Sequence, residues 1–159
     1  MKRFTIVMIL LSCLVACSEE VEIQQTPIIE EEIVQNEQVR VGLNETLSND
    51  VMEITFTDAY YTDDRNQFSD TQADKVLIIV YEYKNLGCAD GLWIMEGLDY
   101  TVYDGDGYSL ETYPVSKPYY QDRVSIGRST KGSEAFAVVG DKTHYEIEIG
   151  GAIVEFDLE

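Results

Sequence analysis

The chain has 159 residues, 45% hydrophobic and 11% aromatic, with eleven Tyr. That is enough apolar material for one domain with its own core, and too short a chain for two. Acidic residues outnumber basic ones 30 to 11, for a net charge of -19. This balance excludes nucleic acid as a partner, since that binding rests on Lys and Arg neutralising phosphates. The same field repels anionic headgroups and wall polymers and favours a cationic partner or none.

Residues 1–16 have the order of an export signal: Met1, Lys2 and Arg3, then an apolar run from Phe4 to Val15, then a small residue. The run is too short to span a bilayer, which takes about 20 apolar residues in a helix. Leu14, Val15, Ala16 and Cys17 resemble the lipobox of bacterial lipoproteins. The resemblance implies cleavage between Ala16 and Cys17, with Cys17 becoming the lipidated first residue of the mature chain. Cys13 is a competing site with a shorter run before it. Two or more acyl chains on Cys17 would anchor the protein stably to the outer face of a membrane. With Cys13 removed and Cys17 alkylated, Cys88 stands alone in the mature chain, so no intradomain disulfide is expected. Residues 17–38 supply the anchor and an acidic tether, since Ser18 to Gln38 holds seven Glu and no basic residue. Ile28, Ile29, Ile33 and Val34 leave open a short helix beginning at Pro27.

From residue 39 to 159 the period of hydrophobicity is two. Met52, Ile54 and Phe56 alternate with Glu53, Thr55 and Thr57, as in a strand buried on one face. A polar loop with Asp63, Asp64, Asp70 and Asp74 follows. Val76 to Tyr83 is apolar on both parities apart from Glu82 and is expected to be a central strand. Leu98, Tyr100 and Val102 alternate up to an Asp-Gly-Asp-Gly turn at 104–107, which leads into an expected strand from Tyr108 to Tyr113. A loop with Pro114 and Pro118 leads to Val124 and Ile126. Further strands are expected at Ser133–Val139, at Tyr145, Ile147 and Ile149, and at Val154, Phe156 and Leu158. No segment keeps a helical period. Seven or eight short strands predict an all-β, antiparallel, immunoglobulin-like β-sandwich, with a small barrel as the alternative.

The placement of Val41 and Gly42, the run Val76 to Asn85, the strand and turn from Leu98 to Gly107, and the stretch from Ile126 through Phe136 to Ile147 resemble the telokin-like immunoglobulin-fold domains of bacterial extracellular lipoproteins. The resemblance covers nearly all of residues 39–159. It implies fold and address but no chemistry, because that family has no assigned activity.

Candidate chemistry is sparse. A Ser-His or Cys-His hydrolase needs a base beside its nucleophile. The one His, His144, falls at the start of an exposed strand, and Cys88 falls in a turn as a small half-buried hydrophobe. Asp104 and Asp106 start like a calcium loop, but an EF-hand would then need an oxygen ligand at position 108 and a Glu at 115, where Tyr108 and Val115 stand. Zinc lacks a His and Cys set. No catalytic residue, metal ligand or cofactor is therefore assigned. A binding or adaptor module for an envelope protein or other extracellular ligand is the leading reading, a calcium-dependent surface module the second and an enzyme the third. Its candidate interaction loop carries Tyr113, Tyr119 and Tyr120 around the two prolines, flanked by Lys117 and Arg123. There, rigid rings would give contact area at low entropic cost.

Overall fold

The protein's structure is a computed structural model that describes residues 38–159. The signal segment, Ala16, Cys17 and the tether up to residue 37 lie outside the described residues. The described residues form eight strands: β1 (Arg40–Val41), β2 (Thr46–Ser48), β3 (Met52–Thr62), β4 (Lys75–Asn85), β5 (Tyr100–Asp104), β6 (Ser129–Val138), β7 (His144–Ile149) and β8 (Ala152–Asp157). They build two four-stranded sheets, ordered β1-β8-β7-β5 and β2-β3-β4-β6. Pairing is antiparallel except between β1 and β8. The result is an all-β sandwich with one core between the sheets, filled by Phe56, Leu77, Ile79 and Tyr81 from one side and Tyr100, Val102, Tyr145 and Ile147 from the other.

β4 shows why its sequence is apolar on both parities. Leu77, Ile79, Tyr81 and Tyr83 point into the sandwich, while Val76, Ile78 and Val80 point out of the second sheet. The outward set is not wet. With Ala135 and Ala137 of β6 it forms a second buried cluster, closed from outside by Tyr113 and Val115. A strand buried on both faces has no polar parity to spend.

β3 runs well past the alternation at its start. The register shifts between Phe56 and Asp58, an extra residue that moves the inward set from Ile54 and Phe56 to Ala59 and Tyr61. The expected strand from Tyr108 to Tyr113 does not form. Leu110 N donates to Val102 O on the first sheet, whereas Tyr113 N donates to Ala135 O on the second. The segment crosses between sheets, touching each by one isolated bridge, Tyr103 to Ser109 and Thr112 to Phe136. Leu98, expected in a strand, lies exposed in a turn closed by Gly97 N donating to Tyr100 O, with Gly97 at φ 76°.

Candidate functional site

Residues 111–122 form a strap over the outer face of the second sheet. The strap is fixed at several points. Tyr113 N bonds to β6, and the Asn66 side-chain amide of the β3–β4 loop donates to Pro114 O. Lys117 Nζ reaches both carboxylate oxygens of Glu134, at 2.8 and 2.9 Å, and both side chains are largely covered. The buried Ser133 hydroxyl donates to Tyr119 O at 2.7 Å and accepts from Tyr119 N at 3.1 Å. Glu96 lies near this ion pair, and its carboxyl is pushed up by burial and by the Glu134 charge.

The strap sorts its tyrosines. Tyr113, expected as an exposed contact residue, is only 6% exposed and packs on Val76, Ile78 and Val80. It is core, because the outward face of β4 needs an apolar cover. Tyr119 and Tyr120 are 43% and 67% exposed. Tyr60 of β3 stands beside them, its hydroxyl pushed up by partial burial, then by Asp58 and Tyr119. Two ammonium groups lie over the exposed rings, Lys117 at 5.7 Å from the Tyr120 centroid and Lys131 at 5.8 Å from that of Tyr119. Lys131 and Tyr60 come from distant strands, so sequence adjacency gave no sign of them. Arg123 turns away, stacking on Trp93 at 5.9 Å and donating to Asp90 O.

The other candidate groups are dispersed. His144 follows the turn at the end of the sandwich where β4 begins, and Cys88 lies in the turn where β4 ends. An eleven-residue strand of about 30 Å therefore separates the thiol from the imidazole. Cys88 Sγ is 3.3 Å from Gly91 O, which accepts its weak S–H donation. In the Asp104 turn, the Asp104 carboxylate accepts from Asp106 N and Tyr108 N, and Lys142 pairs with Asp104 at 3.4 Å and with Asp106. Burial alone would raise the Asp104 carboxyl, but these amides and Lys142 outweigh it and hold it below the usual value. The turn thus carries its own cation. Asp63, Asp64, Asp70 and Asp74 do not gather; among the described residues the one group of three metal-capable side chains is His144, Glu146 and Glu155.

Asn85 is the structural residue that the sequence concealed. It is fully buried, and its side chain accepts from Cys88 N and donates to Cys88 O and Val124 O, each at 2.8 Å. One amide thereby joins the end of β4, the Cys88 turn and the segment leading to β6. Farther along the same face of β4, the Tyr81 hydroxyl is buried together with that of Tyr100 from the facing sheet. Burial drives both phenols well above the usual tyrosine range.

Known proteins share this fold at low identity. A Bacillus subtilis protein classed as a lipoprotein, ycdA, superposes with a TM-score of 0.54 at 21% identity over 72% of this chain. This chain spans only 38% of that protein. The secreted protein MPT63 of Mycobacterium tuberculosis gives 0.55 at 12% identity, covering 76% of this chain and 97% of that one. An uncharacterized β-sandwich protein of Clostridium difficile 630 gives 0.51 at 14% identity, covering 77% and 95%. No family model and no curated protein matches the sequence. At these identities the likeness establishes the β-sandwich and nothing about activity.

Proposed function

We propose that this chain is a lipid-anchored extracytoplasmic protein of the telokin-like kind, whose sandwich is a non-enzymatic binding module. The observation that carries the binding role is the pair Tyr119 and Tyr120, exposed on a strap that Ser133 and Glu134 hold rigid. Rings fixed before contact lose little entropy when a partner arrives, and Tyr supplies contact area through two torsions. The address is supported by the Leu14–Cys17 sequence and by the lipoprotein and secreted character of two proteins with the same fold. Among the described residues, no helix is long and apolar enough to cross a membrane. The non-enzymatic reading draws on the separation of Cys88 from His144.

Two measurements test this. Cys17→Ala should leave the protein unlipidated and its signal segment uncleaved, read by intact mass, without loss of fold; retention of lipid would transfer the assignment to Cys13. A photo-crosslinking residue at position 120 should capture a discrete envelope component, and one at Glu148, on the opposite sheet, should not. Equal capture at both positions would refute the strap as the binding face.

A further inference from the structure

On the outer face of the first sheet, antiparallel register sets His144 opposite Asp157 and Glu146 opposite Glu155. His144 and Glu146 are two residues apart on β7 and so share that face. One ligand atom from each of His144, Glu146 and Glu155 lies within 4.8 Å of the other two. Arg40 Nη1 stands 2.7 Å from Glu146 Oε1 and 2.7 Å from Glu155 Oε2. Both carboxylates thus already converge on one positive centre, supplied by the neighbouring strand β1. The His144 Nε2 atom is 4.0 Å from the same Glu146 oxygen. Its other ring nitrogen, Nδ1, is 2.9 Å from Asp157 Oδ1. A carboxylate at that position holds the proton on Nδ1, fixes the ring and leaves Nε2 as a lone-pair donor, as it does for histidines that ligate zinc.

We infer that His144, Glu146 and Glu155 form a site for a divalent transition-metal ion of the Zn²⁺ class, with the Arg40 guanidinium standing in for the metal as the resident cation. One imidazole nitrogen and two carboxylate oxygens are donors of the kinds zinc takes, three in number, with a fourth position left open to water. Calcium and magnesium take all-oxygen shells of six or more ligands, which this face does not assemble. The nitrogen donor selects for the borderline metals. Arg40 belongs to a two-residue strand and its side chain is half exposed, so it can swing into solvent when a metal enters. From the sequence alone zinc lacked ligands, because these three side chains are brought together by sheet register and not by a spacing motif.

The test is calorimetric titration of ZnCl₂ into the full-length protein, purified in detergent without a polyhistidine tag. One equivalent should bind. Arg40→Ala should bind at least tenfold more tightly, since the competing cation is gone. His144→Ala should bind at least tenfold more weakly, and Asp157→Asn weaker by about 10 to 100-fold. The chain has one His, so its ring resonances report on Nε2 without ambiguity in the wild type, even if a variant fails to fold. Zn²⁺ should shift them and Ca²⁺ should not. Unmoved ring resonances, unchanged affinity in His144→Ala, or weaker binding in a folded Arg40→Ala would each show an adventitious ion on an acidic surface and overturn the site.

Discussion

Replacing Asn85 should destabilise the domain more than any other polar substitution in it, and the structure gives the size of the effect. In Asn85→Ala the Cys88 amide loses its only acceptor, whereas Cys88 O keeps Gly91 N and Val124 O keeps Leu92 N as donors. One orphaned donor costs about 1–3 kcal/mol, and each of the two lost donations about 0.5–1.5 kcal/mol. The total is about 4 kcal/mol, the middle of a range of about 2–6, or roughly 12–20 °C in Tm for a domain of this size. Asn85→Asp sharpens the test. It keeps the acceptor for Cys88 N but points a second oxygen at two carbonyls, so at neutral pH it buries an unpaired charge at a cost of about 3–5 kcal/mol. Burial raises the pKa of that carboxyl in the fold above its unfolded value. The destabilisation is therefore full at high pH and relieved as pH falls through the raised folded value, where the protonated acid can donate to one carbonyl. Thermal melts by circular dichroism between about pH 5 and 8 should show Asn85→Asp below Asn85→Ala at the upper end and converging with it at the lower. An Asn85→Asp melt that tracks the wild type at every pH would refute the staple.

Tyr113→Ala should cost about 3–5 kcal/mol as a buried aromatic, while Tyr119→Ala with Tyr120→Ala should cost under about 1 kcal/mol; denaturant melts that rank them the other way would reverse the division between cover and contact. In Gly132→Ala, the new Cβ would meet Tyr81 Cζ and Oη at 2.6 and 2.8 Å, and overpacking of this kind costs about 1–3 kcal/mol, measurable in the same melts. Since Asp104 is held below its ordinary value, its contribution is complete above about pH 4 and lost as pH falls through the lowered folded value. Wild type should therefore lose more stability on acidification than Asp104→Asn, and parallel curves would refute this.

The sandwich was legible because alternation in β7 and β8 and the doubly apolar run of β4 follow directly from burial on one face or two. Its exceptions have local causes. The alternation of β3 reads only to Thr57 because the bulge there switches the inward parity, and a sequence carries no mark of an extra residue that remains in a strand. The segment 108–113 has strand-like composition, yet it splits its bonds between two sheets. Tyr113 was misplaced although the signal was present. Val76, Ile78 and Val80 require an outer cover, and the apolar residues of the strap supply it. The His144, Glu146 and Glu155 group depends on the pairing register of β7 with β8, and the lysine over Tyr119 on the strap lying across β6, and no spacing motif marks either.

The charge pattern around the strap separates two properties of any partner. Three lysines on this side of the domain are already matched: Lys117 by Glu134 at 2.8 Å, Lys131 by Glu82 at 3.4 Å and Lys84 by Glu53 at 3.7 Å. Contact there depends on aromatic area at short range, with little net charge left to exchange. Approach from afar is governed instead by the net negative charge of the mature chain, which deepens when Lys2 and Arg3 leave with the signal segment, a field that salt screens over about 8 Å at physiological ionic strength. Salt should therefore change how fast a partner captured through position 120 associates, quickening an anionic one and slowing a cationic one, and leave its dissociation nearly constant. Stopped-flow or surface-plasmon measurements between about 0.05 and 0.5 M NaCl separate the two rates. A dissociation rate that rises steeply with salt would show that the lysines, and not the rings of Tyr119 and Tyr120, hold the complex together.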